Sequence, residues 1–292
     1  MSKMRKKIKP YIMLIPVMIF ILGIFIAGIV SGLLQSFGYF PAIGLNTITV
    51  QYYKDILSSP SFLKALRFSF CTSFISSLIA VVLGVLFSYL LLYNQRRKRG
   101  PLVNIYKVPI IVPHTIAALL IFILFTQSGW IARLMYQLGF IEDMQSFKPM
   151  IFDRQGLGVI MAYVWKGLPF ITLVTFEILR SVENKYAKIA ANLGANHFQV
   201  FRYILFPLIF PTTASGFIII FAFSFGAFEI PYLLGPSTPK ALPILSYIHY
   251  NSVNLADRPY AMVINMCIAL CAFITVGLYV LTFQFIKKYN NQ

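Results

Sequence analysis

Six separate stretches of the chain are long and apolar enough to cross a lipid bilayer, and that repetition narrows the possible folds more than any single motif. They fall at about 11–34, 68–93, 108–126, 157–179, 204–228 and 259–286. A helix crosses the hydrocarbon core in about 20 residues. Backbone polar groups in lipid are satisfied only inside helices or closed barrels, and apolar runs of this length predict helices. The expected fold class is therefore an all-α membrane protein with six transmembrane helices. Composition agrees, because 59% of the 292 residues are hydrophobic and only 11% are charged, where a soluble domain carries about 25%.

The placement of charge orients the spans. Sixteen basic residues lie in the N-terminus (Lys3, Arg5, Lys6, Lys7, Lys9), the 94–107 loop (Arg96, Arg97, Lys98, Arg99, Lys107), the 180–203 loop (Arg180, Lys185, Lys188, Arg202) and the tail (Lys287, Lys288). The other three loops hold eight: Lys54, Lys64, Arg67, Arg133, Lys148, Arg154, Lys240 and Arg258. The positive-inside rule then makes both termini and the two short basic loops cytoplasmic. The expected layout is a basic cytoplasmic N-terminus at 1–10, a single transmembrane domain over 11–288 and a cytoplasmic tail at 289–292. The first apolar run is too long for the h-region of a cleaved signal, about 7–15 residues, so it reads as an anchor. Although the net charge is +17, the basic residues form short runs beside apolar stretches, and nucleic acid is not an expected partner. Membrane lipid is.

Chemistry-bearing motifs are scarce. No phosphate loop, nucleophile elbow, H-E-x-x-H or Cys-x-x-Cys pattern occurs. Cys71, Cys267 and Cys271 all lie in apolar segments and imply neither a disulfide framework nor a metal cluster. The chain is expected to be non-catalytic, with no cofactor or metal of its own. An ionisable residue at the centre of a span costs about 2.5–3.5 kcal/mol on insertion scales, so each is a functional candidate. Lys166, beside Trp165 in the fourth span, and Glu229, just after the fifth, are the candidates for a substrate pathway. For Lys166 a backbone carbonyl or a neighbouring carboxylate is the competing partner. Pro109, Pro113, Pro169, Pro207 and Pro211 predict kinked spans.

The 180–203 loop is the most informative segment. Residues 184–193 suit a short helix with Tyr186, Ala190 and Leu193 on one stripe. Gly194 is placed to end it in a left-handed conformation. Asn196 and Gln199 have the spacing of an N-cap and its capping-box partner, opening a second helix that runs into the fifth span.

This loop resembles the EAA signature of permeases of binding-protein-dependent ABC importers, E-A-A-x-x-x-G followed by I-x-L-P. The match runs through Lys188, Ile189, Ala190, Gly194, Ile204, Phe206 and Pro207, with Ala195 beside the glycine. Lys188 stands where the family has Glu, Ile189 replaces the first Ala and Phe206 the Leu. V-W-K-G-L-P-F at 164–170 is similar to the family's W-K-x-x-P-F. S-F-G-A-F-E-I-P-Y-L-L-G-P at 224–236 is similar to permeases of spermidine/putrescine-type importers, and I-T-V-Q-Y-Y-K-D-I-L before the second span also fits.

The resemblance implies a type I ABC importer permease fold, with a cytoplasmic coupling helix between the fourth and fifth spans. It implies a multi-pass protein of the bacterial inner membrane paired with a second permease subunit, as a heterodimer. Two cytoplasmic ATPase subunits would bind ATP and Mg, and an extracytoplasmic binding protein would deliver substrate. Lys188, Ile189, Ala190, Gly194, Ala195, Ile204 and Pro207 are the implied ATPase-coupling residues, and Lys188 is expected to meet a surface that accepts a cation. A polyamine-like substrate is implied first, with phosphonate, ferric iron, sulfate or thiamine as alternatives. A secondary transporter or channel is the rival class; it calls for inverted repeats with paired broken helices, and no convincing repeat relates the first three spans to the last three.

Overall fold

The structure is a computed structural model describing residues 2–94, 106–182, 186, 189–190 and 193–290. In chain order its helices are α1 (Ser2–Ser36), α2 (Gln51–Ser58), α3 (Pro60–Asn94), α4 (Val108–Ile111), α5 (His114–Phe125) and α6 (Trp130–Gln137). There follow α7 (Leu157–Val182), α8 (His197–Val200), α9 (Phe206–Gly226), α10 (Glu229–Leu234), α11 (Leu242–Tyr250) and α12 (Arg258–Asn290). Six helical segments have the length and apolar character of membrane spans: Met13–Ser36, Pro60–Leu92, His114–Gln137, Leu157–Val182, His197–Gly226 and Leu255–Leu281. No sheet forms among the described residues.

Several boundaries differ from the expected ones for local reasons. The second span starts at Pro60 rather than 68, because proline, with its preset φ and missing N–H, suits the first turn of a helix. The third is not one helix over 108–126. It breaks at Val112, whose ψ of 126° is extended; a residue before proline is driven out of the α region by the ring of Pro113. Pro169, by contrast, is carried inside a continuous α7. In the fifth span, residues Phe201–Leu205 widen into a π turn, and the Phe206 N–H reaches back to the carbonyl of Phe201. Pro207 follows immediately, with no N–H to donate to the carbonyl four residues back. The long loops also contain short helices, α2, α6, α10 and α11, that apolar length alone does not reveal.

The contacts divide the chain into two units, Met1–Ser59 with Leu245–Cys267 and Pro60–Ile244 with Ile268–Gln292. In the first, Gly32 of α1 lies beside Met262 and Met266 of α12. Ser36 shares a 2.8 Å hydrogen bond with the hydroxyl of Tyr53. The Tyr260 hydroxyl donates to Asp55 at 3.2 Å, and Ser246 donates to Asn265 at 2.7 Å. The Arg258 guanidinium lies 4.9 Å from the ring centre of Tyr250, a cation–π placement.

The second unit is organised around α7, which packs against both α3 and α9. Small residues let the backbones approach, as they do between helices in membranes generally. Ile171 of α7 is fully buried. It fills the space over Gly84 of α3 and Gly216 of α9, where an added Cβ would lie 2.7 Å and 2.5 Å from its atoms. Gly167 sits in the same way against Ala80 and Ile220. A second apolar cluster joins Ala118 and Ile121 of α5, Val159, Ala162 and Tyr163 of α7, and Ile230 and Leu234 of α10. Many apolar side chains outside these clusters, such as Phe70, Val82, Ile219 and Phe273, are exposed, as a lipid-facing surface requires.

Candidate functional site

The break in the third span is the first half of the site. In an uninterrupted helix the carbonyl of Pro109 would accept from the N–H of residue 113. That residue is a proline and has no N–H, so the carbonyl is left without its helical donor. Lys166 supplies one: its Nζ donates to the carbonyls of Pro109 and Val112, each at 2.6 Å. Hydrogen bonds to a charged group contribute about 1.5–3 kcal/mol each, enough to offset the insertion cost of one lysine. Of the two partners open to Lys166 on sequence grounds, the structure shows the backbone carbonyl.

Helix α5 begins at His114, directly after the break, and its ring centre lies 4.9 Å from that of Phe223 on α9. His114 is within electrostatic range of both Lys166 and Glu229. Glu229 opens α10 after an extended residue, Ala227, has ended α9. It is exposed, and its position in the first turn suits a negative charge. Behind it the buried Tyr163 donates its hydroxyl to the carbonyl of Ser224 at 3.1 Å, tying α7 to the end of α9. Trp165 is half-buried on α7. The structure thus brings Lys166 and Glu229 into one neighbourhood through His114, a residue that no sequence pattern singles out. Its only signal is its place straight after the Pro109 and Pro113 pair.

The second half of the site is the loop between the fourth and fifth spans. Tyr186, Ile189 and Ala190 are helical, and this turn ends as expected at Gly194, with φ at +87°. The Ala195 N–H donates to the carbonyl of Ala190 at 3.0 Å, the six-to-one bond of a Schellman cap. Asn196 and Gln199 then form a complete capping box, with bonds of 2.8 and 2.9 Å.

Tyr186, Ala190 and Leu193 do not share one environment. Ala190 is buried among Leu92, Phe176, Leu179, Val200 and Leu205, which docks the loop on the bundle. Ile189 and Leu193 are 59% and 84% exposed, since Leu193 lies at the turn, beyond the cover of the bundle. Around Gly194 the surface is open, with Leu193, Ala195, Gln199, Tyr203 and Ile204 lining a shallow hollow. A Cβ built on Gly194 meets nothing within 4 Å. Ile204 packs beside the Ala190 cluster, and Pro207 is exposed in the first turn of α9. Lys188 lies outside the described residues.

A multi-pass helical protein with a broken span, a polar cluster inside it and an apolar knuckle exposed between two spans has the organisation of a membrane transport subunit. Residues 68–289 match the family described as binding-protein-dependent transport system inner membrane component, and the chain belongs to that family, the permeases of ABC importers. It is 24% identical over 245 residues to the sulfate transport system permease protein CysT of Synechocystis sp., covering 84% of this chain and 82% of the relative. It is 25% identical to the molybdate/tungstate transport system permease protein WtpB of Thermococcus kodakarensis, over 73% and 77% of the two chains. A chain of a bacterial ABC transporter involved in the import of the acidic polysaccharide alginate has the same fold, with a TM-score of 0.78 and 19% identity, covering 98% and 99%.

Proposed function

We propose that the chain is the pathway-forming permease of an importer in a bacterial inner membrane, with both termini and the 180–203 loop cytoplasmic. In this reading it pairs with a second, different permease subunit, two ATPase subunits bind at the loop, and an extracytoplasmic binding protein presents the solute. The observation that carries the proposal is the exposed knuckle built by Ile189, Leu193 and Gly194. Exposed apolar side chains mark a protein or membrane contact, and on the basic, cytoplasmic side a protein partner would cover these. Ile189, Gly194, Ala195, Ile204 and Pro207 would form or brace that contact, with Ala190 anchoring it from beneath and Lys188 beside it. The chain carries no phosphate loop of its own, so ATP and Mg would be held by the partners.

For the solute, a small oxyanion is the first reading. It rests on relatives named for sulfate and for molybdate/tungstate transport, and on His114 at the broken span. A polyamine is the second reading, favoured by the exposed carboxylate of Glu229 and the S-F-G-A-F-E-I-P stretch around it. Glu229, Lys166 and Trp165 stand as pathway residues in either case.

Glu229→Gln separates the two. A unit charge about 6 Å away across an effective dielectric of about 20 is worth about 3 kcal/mol, so the change is large and its sign depends on the solute. Uptake of radiolabelled sulfate and of spermidine is measured in cells expressing the importer. The oxyanion reading expects sulfate uptake to be kept or to rise after Glu229→Gln. Spermidine uptake by the unmodified importer that falls about tenfold or more in Glu229→Gln replaces it with the polyamine reading.

A further inference from the structure

We infer that Lys166 is a positioning residue of transport rather than a contact for the solute: it is a strut that sets the elbow between α4 and α5 and so fixes where His114 stands. The inference rests on the reading of the His114 and Glu229 region as part of the pathway. Four observations carry it. The carbonyl of Pro109 has lost its helical donor to Pro113, and Lys166 replaces that donor. The same ammonium holds the carbonyl of Val112, the residue at which the span turns. Two of its three donors are therefore spent on the elbow.

The base of the strut is rigid. Lys166 adjoins Gly167, whose Cα is closed in by Ala80 and Ile220, so α7 at this level is clamped between α3 and α9. The elbow it holds is slight: α4 is four residues long with only Pro109 buried, and its Val108 and Ile111 are 50% and 83% exposed. A short, lightly packed arm held by two bonds from a fixed helix has one obvious degree of freedom. Moving it carries the start of α5, and with it His114, relative to Phe223 and Glu229. A transport cycle needs a movable element at the pathway, and this one is fixed to α7 by the buried Pro109 and by the two bonds from Lys166.

A positioning role and a solute contact predict different kinetics. If Lys166 touched the solute, its removal would weaken binding and raise KM. If it sets the elbow, removal slows turnover at every concentration. The test uses the complete importer in membranes, with Lys166→Met and Lys166→Arg. Sulfate uptake is measured over a concentration range, and hydrogen exchange is followed at the Ile110 and Val112 amides, whose own bonds to Lys107 and Val108 report the elbow. Lys166→Met is expected to cut the maximal rate about tenfold with KM changed less than about twofold, and to speed exchange at both amides. Lys166→Arg, which keeps several donors, is expected to recover a large part of both.

A tenfold rise in KM with unchanged exchange would assign Lys166 to the solute and overturn the proposal, as would wild-type rates and exchange in Lys166→Met. Should Lys166→Met fail to accumulate, Lys166→Gln, with a shorter amide donor, is read in the same way. Should the unmodified importer move no sulfate, the oxyanion reading fails, and the exchange comparison alone decides the strut: faster exchange upholds it and equal exchange removes it.

Discussion

Gly194→Trp is expected to abolish stimulation of the partner ATPase by solute-loaded binding protein, while the chain still inserts and still pairs with the second permease. Two effects add at this position. The backbone is left-handed, with φ at +87°, which costs a residue other than glycine about 1–2 kcal/mol. That is small against a folded bundle and large against a transient docking contact. A Cβ there meets nothing within 4 Å of its own chain, so a larger side chain has room and projects from the knuckle into the surface a partner would occupy. Gly194→Ala isolates the first effect and is expected to weaken stimulation only partly. Gly194→Trp and Gly194→Asp add bulk or charge and are expected to bring it to the basal rate. The measurement is ATP hydrolysis by the reconstituted complex with and without loaded binding protein. Full stimulation in Gly194→Trp would show that the loop is not where the ATPase is engaged.

Gly84→Val is expected to be the most damaging single change to the fold. Its Cβ would fall 2.7 Å from Cβ and Cγ2 of Ile171 and 3.2 Å from the carbonyl of Leu168, and neither neighbour has room to retreat, because Ile171 is fully buried and the other is main chain. Overpacking a core costs about 1–3 kcal/mol where side chains can adjust; here α3 must move away from α7, so the cost lies at or above the top of that range. The same Ile171 closes over Gly216, and α9 would be disturbed with it. Gly84→Val is expected to lose most of the monodisperse protein on size exclusion in mild detergent. Gly84→Val with Ile171→Ala, which removes the clashing atoms, is expected to regain part of it. A single variant as monodisperse and heat-stable as the original would mean that the α3 and α7 contact is looser than described.

The division between what the residues announce and what only the structure reveals follows the range of the interactions. Spans are a matter of composition over about 20 residues, and all six were legible. The same holds for the Asn196 and Gln199 capping box and the left-handed Gly194, because a cap is decided within four or five residues. The severed third span was half legible. Pro109 and Pro113 announce a distortion, yet a kink and a break differ only in whether something else satisfies the freed carbonyls. That something is Lys166, more than fifty residues away. The approach of His114 to Phe223 is of the same long-range kind. So is the burial of Ala190 beside exposed Ile189, which depends on what α3, α7 and α9 place beneath the loop. Short helices such as α10 and α11 were hidden because runs of six and nine residues are too short for a criterion of apolar length.

The permease is expected to move solute only when separate ATPase subunits drive it through the 180–203 loop. Proteoliposomes holding the chain and its partner permease, with solute-loaded binding protein outside, test it directly when uptake is compared with and without the ATPase subunits and with and without ATP on their side. Accumulation is expected only when ATPase, ATP and binding protein are all present, and is expected to be lost in Gly194→Trp. Accumulation by vesicles without ATPase, driven by an ion gradient, would contradict it and make the chain a secondary transporter.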